Sequence, residues 1–273
     1  MKPIRVTFDS NVWEPLVCPD PTHPQRVRLR EIKEALRDGR LHGFICETVG
    51  TLEAVTKPKR GDYLAKRKFK NSVRAAGSGD DTNVTITLQM DHNHPDLVLH
   101  PMLLNKLQMA RHMDIRLLQV PVIGLPIPKY FRDNRDFYAP ETFSSGYYDR
   151  FGNAAASIEA RGLASTLLTA IGNRIRQRSP PNAHVAISGV QWLQYAKDEA
   201  EKKEIGKAIA EWADGYLVAS HIASENDVLC SEDRARSARH ASVFDKTNSN
   251  WLSATYGVKV LTIQQLAALM PPK

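Results

Sequence analysis

Apolar residues in the first fifth of the chain form two short runs separated by a long helical pattern. Residues 4–8 (Ile-Arg-Val-Thr-Phe) are mostly β-branched or aromatic and end at the turn-forming triplet Asp9-Ser10-Asn11, which predicts a strand. Residues 24–37 place apolar side chains three and four positions apart, which predicts a helix. The apolar run 43–46 predicts a second strand, and residues 48–55 predict a second helical segment.

The second half of the chain alternates in the same way. Residues 154–178 predict a helix, and residues 195–223 predict another, in which Asp214-Gly215 is a candidate break. The apolar runs 228–230 and 258–261 predict two further strands, and a short helix closes the chain. Strands that alternate with helices imply a parallel sheet with right-handed crossovers. The predicted fold is therefore α/β, with three layers (α/β/α) around a central, mostly parallel sheet.

Residues 57–150 differ in composition from the segments on either side, because prolines are frequent and the hydrophobic periodicity is interrupted. Two strand candidates lie inside this region, residues 84–90 and 115–120, and the pattern does not assign their sheet partners. We therefore predict a single domain whose core comprises residues 1–56 and 151–273, with residues 57–150 as a large insertion.

Composition and charge narrow the functional classes. The 273 residues are 42% hydrophobic and 25% charged, which is typical of a globular protein. Lys and Arg outnumber Asp and Glu by 37 to 30, and this balance favours polyanionic partners. No apolar stretch approaches the roughly 20 residues of a membrane span, and three cysteines without a C-x-x-C spacing favour a reducing cytoplasm. We expect a cytoplasmic protein with no membrane partner.

Four acidic residues are candidates for chemistry. Asp9 and Asp233 come directly after predicted strands, and in a parallel sheet functional groups collect at the carboxyl ends of the strands. Glu53 and Asp214 lie in the first turns of predicted helices that start over the same edge. Each acid alone has a simpler explanation as a turn or helix cap. Together, four carboxylates favour Mg²⁺ or Mn²⁺ as a cofactor and phosphoester hydrolysis as the reaction.

These acids lie in blocks that resemble, in the same chain order, those of the PIN-domain nucleases, whose members include the toxins of many bacterial toxin-antitoxin pairs. The blocks are residues 6–12 (VTFDSNV), 47–53 (ETVGTLE), 212–220 (WADGYLVAS), 228–233 (VLCSED) and 257–269 (GVKVLTIQQLAAL). The resemblance implies a PIN-like fold and a metal-dependent ribonuclease that cuts single-stranded RNA endonucleolytically. It also implies an inhibitory antitoxin-like protein as a partner, and a homo-oligomer is left open.

The resemblance implies a role for each residue of the site. Asp9, Glu53, Asp214 and Asp233 would be metal ligands, and Asn11 and Ser231 would steady them or a bound water. Glu47 is the rival of Glu53, because it directly follows the second strand. We favour Glu53 and interpret Glu47 as a solvated helix start stabilised by the helix dipole.

Two basic clusters are candidates for RNA contacts. The first carries aromatic residues between its cations, a composition typical of single-strand binding, although it equally suits a solvated face. Its basic members are Lys57, Lys59, Arg60, Lys66, Arg67, Lys68, Lys70 and Arg74. The second follows Asp233 directly and would be a set of phosphate clamps or of structural ion-pair partners. It consists of Arg234, Arg236, Arg239 and His240.

Other chemistries compete less well with this hypothesis. Residues 91–94 (Asp-His-Asn-His) suggest a transition-metal site, but they also suit a turn at the end of a strand. No nucleotide-binding glycine motif and no G-x-S-x-G elbow is present. A haloacid-dehalogenase-type phosphatase would need a second Asp where Asn11 stands. The remaining alternative is a non-catalytic PIN-like module that binds RNA or a protein partner.

Overall fold

The computed structural model of the chain describes residues 2–55, 59–65, 69–76, 83–90, 98–121, 127–178, 193, 195–233 and 242–270. The strands are β1 (Ile4–Phe8), β2 (Leu41–Cys46), β3 (Phe69–Ala76), β4 (Asn83–Met90), β5 (Arg116–Leu118), β6 (Val228–Cys230) and β7 (Val260–Leu261). The α-helices are α1 (Ser10–Val17), α2 (Arg26–Arg37), α3 (Arg60–Ala65), α4 (Pro101–His112), α5 (Lys129–Asp133), α6 (Ser145–Ala160), α7 (Ser165–Arg178), α8 (Glu199–Ala223), α9 (Lys246–Tyr256) and α10 (Ile263–Ala268).

Five strands form a central sheet in the order β5-β2-β1-β6-β7, and every pair in it is parallel. Phe8 at the end of β1 is aligned with Ile45 of β2 and Cys230 of β6. The residues that follow these three strands therefore lie side by side at one edge. This sheet and the helices on both of its faces confirm the predicted three-layer α/β/α class.

Each face of the sheet is covered by its own hydrophobic cluster. Helices α6, α7, α8 and α9 pack on one face, and buried residues such as Tyr147, Ile209 and Leu252 belong to that cluster. Helices α1, α2, α4 and α10 pack on the other face, where Trp13 and Ile32 are fully buried. Each such side chain contributes about 1.5–3 kcal/mol by leaving water. Within the described ranges, no helix has the length and apolar character needed to cross a membrane.

The predicted insertion is too wide. Strand β5 belongs to the central sheet, where Ile45 pairs with Leu117, and helix α4 buries Leu107 and Ala110 in the core. The hairpin of β3 and β4 forms a separate two-stranded sheet. Strand β5 and helix α4 are thus part of the domain core, although the prediction placed both of them in the insertion.

Two predictions about the later helices also need correction. Residues 154–178 are not one helix, because Gly162 and Ala164 adopt φ values of 77° and 55° and separate α6 from α7. Conversely, α8 runs without a break through Asp214 and Gly215. A Cβ on Gly215 would lie 2.4 Å from the Cβ of Ala164. Glycine is required there because α8 packs closely against the turn between α6 and α7, and it marks a helix contact instead of a helix end.

A buried histidine fixes α8 on the sheet. His221 Nδ1 lies 2.9 Å from Thr7 Oγ1, which also accepts a hydrogen bond of 2.8 Å from Asn226 Nδ2. Burial lowers the pKa of His221 from 6.5 to about 4, and the nearby charge of Asp227 opposes this shift. The folded protein therefore favours the neutral ring, and protonation of this ring favours unfolding.

We expect this histidine to make stability fall on acidification between pH 6.5 and pH 4. Its contribution is complete above pH 6.5 and decreases by about 3 kcal/mol as the pH falls to about 4, because one pH unit corresponds to about 1.4 kcal/mol. Urea unfolding of the protein and of His221→Asn, which cannot titrate, measures the effect as the change in their difference with pH. A difference that stays constant from pH 7 to pH 4 would contradict the prediction.

Candidate active site

Asp9 occupies the centre of the carboxyl edge of the sheet. It follows β1 and caps α1, with Oδ1 accepting a 2.6 Å hydrogen bond from Ser10 N. Its other oxygen, Oδ2, accepts hydrogen bonds from Asn11 Nδ2 at 2.7 Å and from Ser231 Oγ at 2.6 Å. Asp9 thus caps a helix, and its carboxylate also accepts hydrogen bonds from Asn11 and Ser231, the two polar residues that the resemblance assigns to the site.

The segment after β6 is fixed to Asp9 by a small hydrogen-bond network. Ser231 Oγ accepts a 3.0 Å hydrogen bond from Asp233 N, and Asn11 Oδ1 accepts one of 2.9 Å from Glu232 N. Glu232 in turn accepts a hydrogen bond of 2.7 Å from Ile263 N at the start of α10. These contacts hold Asp233 at the sheet edge, where the strand-end position predicted it.

Asp214 reaches the same edge from the middle of a helix. The prediction that it opens a helix is wrong, since α8 begins fifteen residues earlier, at Glu199. The contact between His221 and Thr7 fixes how α8 lies across β1. Asp214 lies two turns before His221, a distance of about 10 Å along the helix. It therefore stands over the end of β1, and its side chain is half-buried.

The pKa values show that the four predicted acids belong to one electrostatic cluster. Burial raises the pKa of Asp9 to about 6, the hydrogen bond from Ser231 opposes the rise, and the charge of Glu53 adds to it. The pKa of Asp214 is raised well above its usual value, first by burial and then by the charges of Asp9, Glu53, Glu211 and Asp233. Like charges that interact at a partly dehydrated edge are unfavourable without a cation.

Glu53 and Glu47 have different surroundings. Glu53 lies in a turn after the 3-10 helix Glu47–Gly50, and not in a helix as predicted, with its carboxylate accepting a 2.8 Å hydrogen bond from Thr48 Oγ1. Glu47 is buried, and its carboxylate accepts hydrogen bonds from Val120 N at 2.8 Å and from the Tyr138 hydroxyl. The interpretation of Glu47 as a solvated helix start is therefore wrong. Of these two glutamates, Glu53 is the one whose charge adds to the rise in the pKa of Asp9 and of Asp214.

Sequence reasoning missed two charged residues of this cluster. Glu211 precedes Asp214 by one helical turn, and its charge adds to the rise in the pKa of Asp214. The i, i+3 spacing of the two acids is the sequence signal that could have identified Glu211. Arg60 is buried, and the charges of Glu53 and Asp214 act on its guanidinium. It was predicted only as one cation among the eight of the first basic cluster, and its burial has no sequence signal.

The donor set has the chemistry of a hard-cation site, because every candidate ligand is a carboxylate oxygen. The side chains do not converge: among the described residues, no three His, Cys, Asp or Glu side chains are grouped closely enough to hold a metal ion. The cluster thus has the charge that Mg²⁺ or Mn²⁺ would neutralise, and the acids interact through space without meeting at one point.

Several predicted residues lie outside the part of the chain that the structure describes. These are Lys57, Lys66, Arg67 and Lys68, the whole second basic cluster (Arg234, Arg236, Arg239 and His240) and the segment 91–94. Lys70 lies on β3, in the hairpin that is separate from the central sheet. Arg60 is the described member of the first basic cluster that lies beside the acids.

In comparisons with known proteins, no family model matches the chain, and no curated protein or solved structure is significantly similar to it.

Proposed function

We propose that the chain is a metal-dependent nuclease that hydrolyses phosphodiester bonds in single-stranded RNA, as its resemblance to the PIN-domain nucleases implies. The observation that carries the proposal is the mutual electrostatic interaction of Asp9, Glu53, Asp214 and Asp233 at the carboxyl edge of the central strands. An arrangement that raises the pKa of two neighbouring acids, here Asp9 and Asp214, is costly for folding and is characteristic of functional sites.

Asp9, Glu53, Asp214 and Asp233 would hold Mg²⁺ or Mn²⁺ in this proposal. A bound ion supplies charge neutralisation, polarisation of the phosphoryl group and activation of a water. Asn11 and Ser231 hold Asp9 in one orientation by donating to the same carboxylate oxygen. Glu53 and Asp214 would have to move toward Asp9 by side-chain rotation, because no three of the acids are grouped as placed within the described residues.

RNA as the substrate is supported by charge, since the chain carries a formal net charge of +7. Contacts from Lys66, Arg67, Lys68, Lys70, Arg234 and Arg236 belong to the same proposal. So do an inhibitory antitoxin-like partner, a homo-oligomer and a cytoplasmic location. The last is supported by the three cysteines, Cys18, Cys46 and Cys230, which are unpaired.

An assay with purified protein and a fluorescent single-stranded oligoribonucleotide tests the proposal. We expect cleavage with Mn²⁺ or Mg²⁺, none with EDTA, and slower cleavage of the matching deoxyribonucleotide. A phosphatase would instead release phosphate from p-nitrophenyl phosphate, and a non-catalytic module would bind the RNA without cutting it. Intact RNA after incubation with both metals would remove the proposal.

A further inference from the structure

Arg60 has a fixed and buried position beside the acidic cluster. It begins α3 and is 7% exposed, with Nε donating a 2.9 Å hydrogen bond to the Val55 carbonyl and Nη2 donating one of 3.5 Å to the Glu53 carbonyl. The next residue, Gly61, lets α3 approach α8, because a Cβ there would lie 3.1 Å from Ile205 Cγ2. The turn that carries Glu53 therefore also determines where the guanidinium lies.

One end of this guanidinium has no acceptor. Arginine has five N–H donors, and Nη1, which carries two of them, is buried without a hydrogen-bond partner among the described residues. Burial lowers the pKa of Arg60, and the charges of Glu53 and Asp214 oppose this shift. A buried charge with an unpaired donor group lowers the stability of the fold, so stability does not explain the position of Arg60.

We infer that Arg60 binds the substrate at the acidic cluster: Nη1, which is enclosed in this structure, is uncovered when Glu53 and Asp214 rotate to hold the metal, and it then donates to a non-bridging oxygen of the phosphodiester. The inference rests on the proposed nuclease function and adds a residue that contacts the substrate. The proposed metal ion neutralises part of the charge of the four carboxylates, and a guanidinium fixed beside them adds a cation that can contact the phosphate directly. A guanidinium suits this role because its planar donors match phosphate oxygens, and because a preorganised donor stabilises charge that develops during the reaction.

Single-turnover cleavage of the oligoribonucleotide with saturating Mn²⁺ tests this role. We expect Arg60→Gln to lower the rate by about a hundredfold, and Arg60→Lys by about tenfold because an ammonium keeps the charge but loses the planar donors. Removing the cation should leave the affinity for Mn²⁺ unchanged or raise it, and a purely structural defect would not do this. Arg150→Gln is the control, because Arg150 Nε likewise donates to a main-chain carbonyl, that of Ala223, at 2.9 Å.

Added guanidinium separates loss of the donor from loss of the fold. Millimolar guanidinium should restore part of the activity of Arg60→Ala, and sodium chloride at the same ionic strength should not. Wild-type rates for folded Arg60→Gln, with Asp9→Asn inactive, would overturn the inference and leave the nuclease proposal intact. If Arg60→Gln does not fold, the inference would be overturned by full activity of Arg60→Lys together with a failure of guanidinium to rescue Arg60→Ala. No cleavage by the unmodified protein would instead show that the proposed function itself has failed.

Discussion

Replacing Asp9 with asparagine is expected to lower metal-dependent RNA cleavage by at least about a thousandfold. Asp9 is the central acid of the cluster: its charge raises the pKa of Asp214, and its own pKa is raised by Glu53. Asparagine keeps the size of the side chain and an acceptor for Ser10 N, and it removes the negative charge. Single-turnover cleavage with Mn²⁺ measures the loss.

The same substitution has two opposite effects on stability, because it removes a buried charge and also removes the oxygen that accepts from Asn11 Nδ2 and Ser231 Oγ. Because burial raises the pKa of Asp9 from 3.8 to about 6, the ionised carboxylate costs stability at every pH above that range, and asparagine removes this cost. Thermal melting at pH 8 should therefore change less than the loss of two buried hydrogen bonds alone would cause. Mn²⁺ should raise the melting temperature of the unmodified protein and not that of Asp9→Asn, because only a protein that binds the ion is stabilised by it.

Asp245→Asn is a matched control for Asp9→Asn. Asp245 caps α9 by accepting a 2.8 Å hydrogen bond from Thr247 N, and it is not among the residues that shift the pKa of Asp9 or Asp214. Cleavage by this variant should be unchanged. Undiminished cleavage by Asp9→Asn, or equal losses in the two variants, would contradict the assignment of Asp9.

The hydrophobic pattern predicted the strands better than the helices. Strands β1 and β6 follow from compact apolar runs, and the structure confirms both. Helix α1 was missed because the pattern was interpreted as a turn after Asp9, although Val12, Trp13 and Leu16 have helical spacing. Strand β5 has three residues, too few to show a period, and its place beside β2 depends on tertiary pairing.

Local sequence patterns predicted some of the site residues, and the positions of the others depend on tertiary packing. Asp9 and Asp233 were predictable because the end of a parallel strand determines which edge a residue occupies. Asp214 required the resemblance, because its position depends on how α8 crosses the sheet. The burial of Arg60 depends on the packing of α3 against α8, which no local pattern specifies.

Substitutions at Glu53 and Glu47 should separate the functional acid from the structural one. Glu53→Gln is expected to lower cleavage by at least about a hundredfold with little change in stability, because its carboxylate contributes charge to the cluster and is only partly buried. Melting temperature and single-turnover cleavage with Mn²⁺ measure the two effects. Unchanged cleavage by folded Glu53→Gln would remove Glu53 from the site.

Glu47→Leu should show the opposite pattern. It leaves Val120 N and the Tyr138 hydroxyl buried without their acceptor, at a cost of about 3 kcal/mol in the free energy of unfolding, because each unpaired buried group costs about 1–3 kcal/mol. Cleavage per folded molecule should remain close to that of the unmodified protein, because Glu47 does not shift the pKa of Asp9 or Asp214. Loss of cleavage with unchanged urea unfolding would instead make Glu47 the second acid of the site.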